Sequence, residues 1–210
     1  MSKVIFLGAG GIAIVAAEIA RSRGLEIVGF LDDRAEKHGT LFCGAPILGN
    51  FEMLAALRQD VPQAVVAFGN CRGRISVSQK VLSYGFSLPS LIHQSAVVSH
   101  NASIGIGAII MPGTIINSGT QIGSNIILNT AASVDHECSI GDGVHIGPGA
   151  RLSGLVTIGH ATWIGIGSVI RESVHIGSNV LLGAGSLVLR DIPDDVVAYG
   201  APAKIVRANP

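Results

Sequence analysis

Two histidines nine residues apart, His136 and His145, stand in the stretch VDHECSIGDGVHIGPG, which is otherwise mostly glycine and small aliphatic residues. His136 lies between Asp135 and Glu137, and a carboxylate beside an imidazole stabilises its protonated form and selects one tautomer, as a general base requires. His100, His160 and His175 have no comparable acidic neighbour. Zinc is the competing use of such residues, but His136, His145 and His160 are separated by nine and fifteen positions with no third ligand to match, so no metal is expected. Cys43, Cys71 and Cys138 are odd in number and widely spaced, which fits a reducing compartment better than a disulfide framework or a zinc site. None has neighbours that would make it a nucleophile, so no acyl-enzyme is implied.

The pair sits in a long internal repeat. From Ile92 to Val188, seventeen positions at an interval of six are all aliphatic, and many are followed directly by glycine, as in IGIGAI and IGDGVH. Four residues after most of them comes a small or β-branched residue, such as Ala108, Thr120, Ala132 or Ser168. One large inward residue, a glycine at the turn and a small corner residue describe a solenoid of triangular coils, eighteen residues per coil. Residues eighteen apart then stack. One file reads Ile109, Ile127, His145, Trp163, Leu181, apolar but for the histidine, and another reads Ser103, Gln121, Ser139, Thr157, His175. An outward apolar file predicts a subunit contact, the alternative being that these side chains tuck inward at corners. His136 falls in file with Ser118 and Gly154, and both histidines are expected to border one groove, formed within a chain or across two.

Residues 1–90 follow a different grammar, in which short apolar runs alternate with helical ones. VIFL (4–7), EIVGFLDD and AVVAFGN read as strands of a small parallel sheet; IAIVAAEIARSRG, FEMLAALRQD and RISVSQKVLSYG read as helices. GAGGIA fits G-x-G-x-x-A at Gly8, Gly10 and Ala13, where backbone amides at a helix start approach phosphate. Asp32 follows at the distance of a ribose-binding acid, although some ninety residues are too few for a whole dinucleotide fold. The chain is therefore divided into an α/β half-Rossmann domain over 1–90 and a β-helix over 91–210. Zero formal net charge among 210 residues, only 13% of them charged, gives no footprint for nucleic acid. Despite a mean hydropathy of +0.54 there is no long uninterrupted apolar run, so no membrane insertion is expected. The N-terminus has no secretory pattern, and a cytoplasmic location is the default.

The stretch LNTAASVDHECSIGDGVHIGPGARLSG resembles the signature of hexapeptide-repeat sugar acetyltransferases of the PglD/NeuD-like group, which includes sialic acid O-acetyltransferases and UDP-amino-sugar N-acetyltransferases of bacillosamine synthesis. The resemblance extends over nearly the full chain. It implies a left-handed parallel β-helix and a homotrimer with active sites between subunits. It implies His136 as the base that deprotonates the sugar nucleophile, with Glu137 increasing its basicity and Asn129 in the substrate pocket. It implies acetyl-CoA as co-substrate, with His145 helping to bind it, Gly154 near the thioester, Ile166 along the pantetheine and Ala184 towards the nucleotide. The G-A-P-A-K tail implies a loop over CoA, with Lys204 and Arg207 facing phosphates. In the front domain it implies a nucleotide-linked sugar held by Gly10, Gly11, Ile12, Asp32, Asp33, Gly69 and Asn70. Ile12 departs from the family's usual histidine, which removes a hydrogen bond but leaves the phosphate cradle. The implied activity is acetylation of an amine of a nucleotide-linked deoxyamino sugar, for bacterial surface glycan synthesis. The alternatives are O-acetylation of sialic acid or a related sugar, or a non-catalytic nucleotide-sugar-binding solenoid.

Overall fold

The computed structural model describes residues 2–210 and divides into two compact units, Met1–Leu91 and Ile92–Pro210. In the first, β1 (Lys3–Leu7) buries Val4 to Leu7 completely, as an all-apolar run in the middle of a sheet must. It leads through Gly8–Gly10 into α1 (Gly11–Ser22), which buries Ala13, Ala16, Ala17, Ile19 and Ala20 and packs on β2 (Glu26–Leu31). Gly24, at φ +76°, takes the left-handed conformation that ends the helix.

Residues 34–50 carry no strand pattern in the sequence, yet they contain a hairpin of β3 (Leu41–Phe42) and β4 (Ala45–Gly49). Its two-residue turn, Cys43–Gly44, has φ +47° and +76°, the geometry that suits the strand twist. A cysteine at the first turn position is not the Asn or Asp that marks such turns in sequence, so the hairpin leaves no local signature. The expected helix over FEMLAALRQD shrinks to a 3-10 turn at Phe51–Met53 and α2 (Leu54–Leu57). The stretch is bounded by the Asn50 cap and by Pro62, too short a span to propagate a helix. β5 (Gln63–Val66) and α3 (Cys71–Ser83) complete the unit. The sheet order is β3-β4-β2-β1-β5, parallel except for the edge strand β3.

In the second unit, all seventeen repeat positions are the second residue of a two-residue strand, from β6 (Leu91–Ile92) to β22 (Leu187–Val188). Partners lie eighteen residues apart and pair in parallel, as in Ile116↔Val134 and Val134↔Leu152. The coils form three faces, in sheets of six, five and eight strands. The core is the column of inward aliphatics with the small corner residues, Ile110 and Val134 among them at 0% exposure.

The glycines have two distinct causes, where one was expected. A Cβ on Gly105, directly after an inward aliphatic, would stand 2.6 Å from the backbone of the next coil, so close stacking excludes a side chain. The left-handed turn residue comes two positions later, at 107, 113, 119 and onward by sixes to 185, and half of these are not glycine: Asn125, Ala131, Glu137, Leu155, Ala161, Ser173, Asn179.

The C-terminal segment is also more ordered than a covering loop. β23 (Val196–Gly200) extends the eight-stranded sheet from Leu181–Leu182, and β24 (Ala203–Ala208), which contains Lys204 and Arg207, folds back antiparallel on it. Among the described residues no helix is long and apolar enough to cross a membrane.

Candidate active site

All seven front-unit candidates, Gly10, Gly11, Ile12, Asp32, Asp33, Gly69 and Asn70, line one pocket of about 590 Å³. The starts of α1 and α3 border it, and each helix start carries a partial positive charge that favours anions. Gly10 provides no side-chain cap to the first amides of α1. Gly8 is required by the fold, with φ +100° and Ala67 O only 3.0 Å from where a Cβ would stand, whereas a Cβ on Gly10 or Gly11 meets nothing within 4 Å. Those two glycines leave room that the protein itself does not use.

Asp32, which lines the pocket, is also engaged within the protein. It is buried, accepts from the Ala9 amide (2.9 Å), and is clamped by Arg34 through Nε and Nη2, both at 2.8 Å, with Lys37 Nζ at 3.4 Å. The Arg34 hydrogen bonds, more than the opposing effect of burial, hold its carboxyl far below the usual carboxylate range. It braces the glycine turn. Asp33 accepts from the Phe51 amide (3.2 Å), and Asn70 caps α3 by accepting from Gly73 (2.6 Å). Phe51 and Phe68, which no sequence motif marks, stack their rings at 6.1 Å on the pocket wall. Arg74, equally unmarked in the sequence, is fully buried, donates to the carbonyls of Phe68 (2.9 Å) and Gly69 (3.1 Å) and so shapes the turn after β5. Burial pushes that guanidinium's pKa down.

In the second unit, His136 and Glu137 occupy the turn between Ser133–Val134 and Ser139–Ile140, at the corner from the six-stranded to the five-stranded face. His136 Nδ1 lies 3.1 Å from Glu137 Oε2, so an ionised Glu137 holds the proton on Nδ1 and leaves the Nε2 lone pair for a substrate. The ring rests against Gly154, where a Cβ would come within 2.5 Å of Cε1 and Nε2. Both side chains are more than half exposed, 54% and 63%.

A second grouping lies at another corner. Asn129, His145, Trp163, Ile166 and Ala184 line an apolar groove of about 350 Å³, with Gly147, Gly165 and Gly183 stacked along it. The eighteen-residue stacking of Ile166 and Ala184 read from the sequence is present. Asn129 Oδ1 accepts from the Thr130 amide (2.8 Å), which orients its Nδ2 towards His145 Nε2 (3.2 Å) and selects the His145 tautomer protonated on Nδ1. The Trp163 indole stacks on the same imidazole at 5.1 Å and 11°. Asn129 therefore shares a wall with the residues expected to hold CoA.

The two histidines do not border one groove within the chain, because the His136 turn and the Gly147–Ala150 turn join different pairs of faces. The expected apolar file is likewise divided: Ile109 and Ile127 are already buried, and Trp163 and Leu181 remain exposed by 42% and 37%. Lys204 and Arg207 lie on β24, outside that groove's lining, and Gly154 lies with His136.

Residues 3–81 match the model of the PglD N-terminal domain, and 156–190 match the bacterial transferase hexapeptide repeat. PerB from Caulobacter crescentus, solved with CoA and GDP-perosamine, is 38% identical with a TM-score of 0.93, and the match covers 98% of each chain. The chain belongs to the PglD/NeuD-like family of hexapeptide-repeat sugar acetyltransferases. The acetyltransferase domain of PglB from Neisseria gonorrhoeae, solved with acetyl coenzyme A, is 40% identical with a TM-score of 0.91, over 97% of this chain and 98% of that one. WeeI from Acinetobacter baumannii is 25% identical with a TM-score of 0.90, over 98% and 100%. The solenoid is accordingly the family's left-handed parallel β-helix, preceded by its Rossmann-like domain.

Proposed function

We propose that this protein transfers the acetyl group of acetyl-CoA to an amine, the C4 amine of a deoxyamino sugar, on a nucleotide-linked substrate. The observation that carries the reading is the His136–Glu137 pair on a chain that matches CoA-bound sugar acetyltransferases over nearly its whole length. Glu137 holds Nδ1, and Nε2 takes the proton from the amine as it attacks the thioester carbonyl; the thiolate of CoA leaves, and no covalent enzyme intermediate forms. Two solved forms of the Caulobacter enzyme in which one histidine is replaced, by alanine or by asparagine, hold both CoA and GDP-perosamine. A histidine needed for chemistry and not for binding behaves in that way.

The apolar groove of Asn129, His145, Trp163, Ile166 and Ala184 suits the slim pantetheine arm, and the stacked glycines let backbone amides approach it. Because base and groove occupy different corners, the working site is formed between neighbouring chains of a homotrimer, with Gly154 of the base corner facing the thioester. Lys204 and Arg207 face CoA phosphates from the hairpin. In the front unit the uncapped amides at Gly10–Ile12 take the diphosphate, with Asp33, Gly69 and Asn70 bordering the nucleoside. Both substrates are metabolites of the cytoplasm, where the enzyme works on surface-glycan precursors.

The test is acetyl-CoA consumption over GDP-perosamine and the UDP- and dTDP-linked 4-amino-6-deoxy sugars, with free sialic acid as the oxygen nucleophile. Turnover is expected with an amino sugar. His136→Ala should lower kcat by about 10² to 10⁴ while CoA binding by calorimetry persists; wild-type turnover in that variant removes His136 from the mechanism.

A further inference from the structure

The turn that carries His136 and Glu137 is tied at all four of its amides. Asp135 N donates to Leu152 O (3.0 Å), His136 N to Asp135 Oδ1 (2.8 Å), Glu137 N to Ser118 O (2.9 Å) and Cys138 N to Thr120 Oγ1 (3.3 Å). The Thr120 hydroxyl, fully buried, also donates to Asp135 O (2.7 Å). That brace belongs to the scaffold: Thr162 does the same at the corresponding turn two coils and one face further on, donating to Gly177 O (2.7 Å) and accepting from Val180 N (3.0 Å), where no chemistry is expected.

The base turn has an additional tie. Asn117, one coil earlier in the same file, donates Nδ2 to Asp135 Oδ1 (2.8 Å), the same oxygen that accepts the His136 amide. One carboxylate oxygen thus links the neighbouring coil to the backbone of the base. We propose that Asn117 and Asp135 are positioning residues for His136: Asn117 fixes the Asp135 carboxylate, which fixes the His136 backbone so that Nε2 stays over Gly154. This role rests on His136 being the base. Backbone displacements of well under an ångström matter at such a site, because the proton must pass across a single hydrogen bond.

The experiment compares kcat, both KM values and Tm for Asn117→Ala, Asp135→Ala and Asp135→Asn, with Thr162→Val as the scaffold control and each Asp135 change repeated in a His136→Ala background. Loss of one tie should lower kcat about two- to tenfold, with both KM values within about twofold of wild type. Asp135→Asn keeps an oxygen acceptor and should recover part of the loss seen in Asp135→Ala. Thr162→Val should lower Tm yet keep kcat, and in the His136→Ala background the Asp135 changes should cost nothing more. The proposal is overturned by wild-type kcat in Asp135→Ala, by an Asn variant as impaired as the Ala variant, or by an undiminished effect without His136. If His136→Ala itself is fully active, the base assignment fails, and that result is distinct from all three.

Discussion

The imidazole of His136 rests against the bare α-carbon of Gly154, one coil further along, with no room for a methyl group between them. Gly154 is not among the residues with positive φ, so its backbone tolerates a side chain and only the neighbouring ring objects. Gly154→Ala is therefore expected to leave Tm nearly unchanged and to lower kcat at least about tenfold by displacing Nε2, a share of what loss of the base itself costs. A kcat within twofold of wild type would show that the ring's position over Gly154 is not needed.

Glu137 occupies a left-handed backbone position, φ +56°, that glycine fills in half of the repeats. An L-residue there costs about 1 kcal/mol or somewhat more. Replacing it by glycine should therefore hold or raise Tm while kcat falls, because Nδ1 of His136 loses its partner. Stability and activity moving in opposite directions, read by thermal melts and steady-state rates, is the signature; a parallel fall in both argues against it.

Gly10 has open space where its side chain would be, so the fold does not ask for glycine. Gly10→Ala should keep Tm and the KM for acetyl-CoA but raise the KM for the nucleotide sugar about tenfold or more, as the methyl group obstructs approach to the amides of α1. Unchanged nucleotide-sugar KM would move the phosphate elsewhere.

Asp32 is expected to contribute to stability against acid. Its folded pKa is depressed, chiefly by Arg34, below the ordinary value of about 3.9, so its contribution is complete above that value and is lost as pH falls below it. Asp32→Asn should have a lower Tm than wild type at pH 7, and the difference should shrink steadily from about pH 4 towards pH 2. A gap that stays constant over that range would mean the carboxylate's charge is not what braces the glycine turn.

Much of this was legible in the chain itself. The seventeen aliphatics at sixes are each the inward residue of a strand, because a solenoid repeats one local environment and so writes its period into the sequence. The front pocket was legible for a similar reason: the ends of parallel strands and the starts of the following helices converge at one edge of the sheet, so Gly10, Asp33 and Gly69 meet there. The Cys43–Gly44 hairpin was not legible, since its turn residues carry no strong signal, nor was the bonding of Arg74 to the Phe68 and Gly69 carbonyls, groups that any residue has.

The amino-acid order by itself determined the fold class, the coil length and the identity of the His136–Glu137 pair, all of which depend on local repetition or on adjacent residues. Tertiary structure alone decided three matters: that Asp32 is occupied by Arg34 and Ala9, that Asn129 turns its amide to His145, and that His136 and His145 lie at different corners of the coil. Each depends on the direction of a side chain or on which faces a turn joins, and spacing along the chain does not encode direction in space.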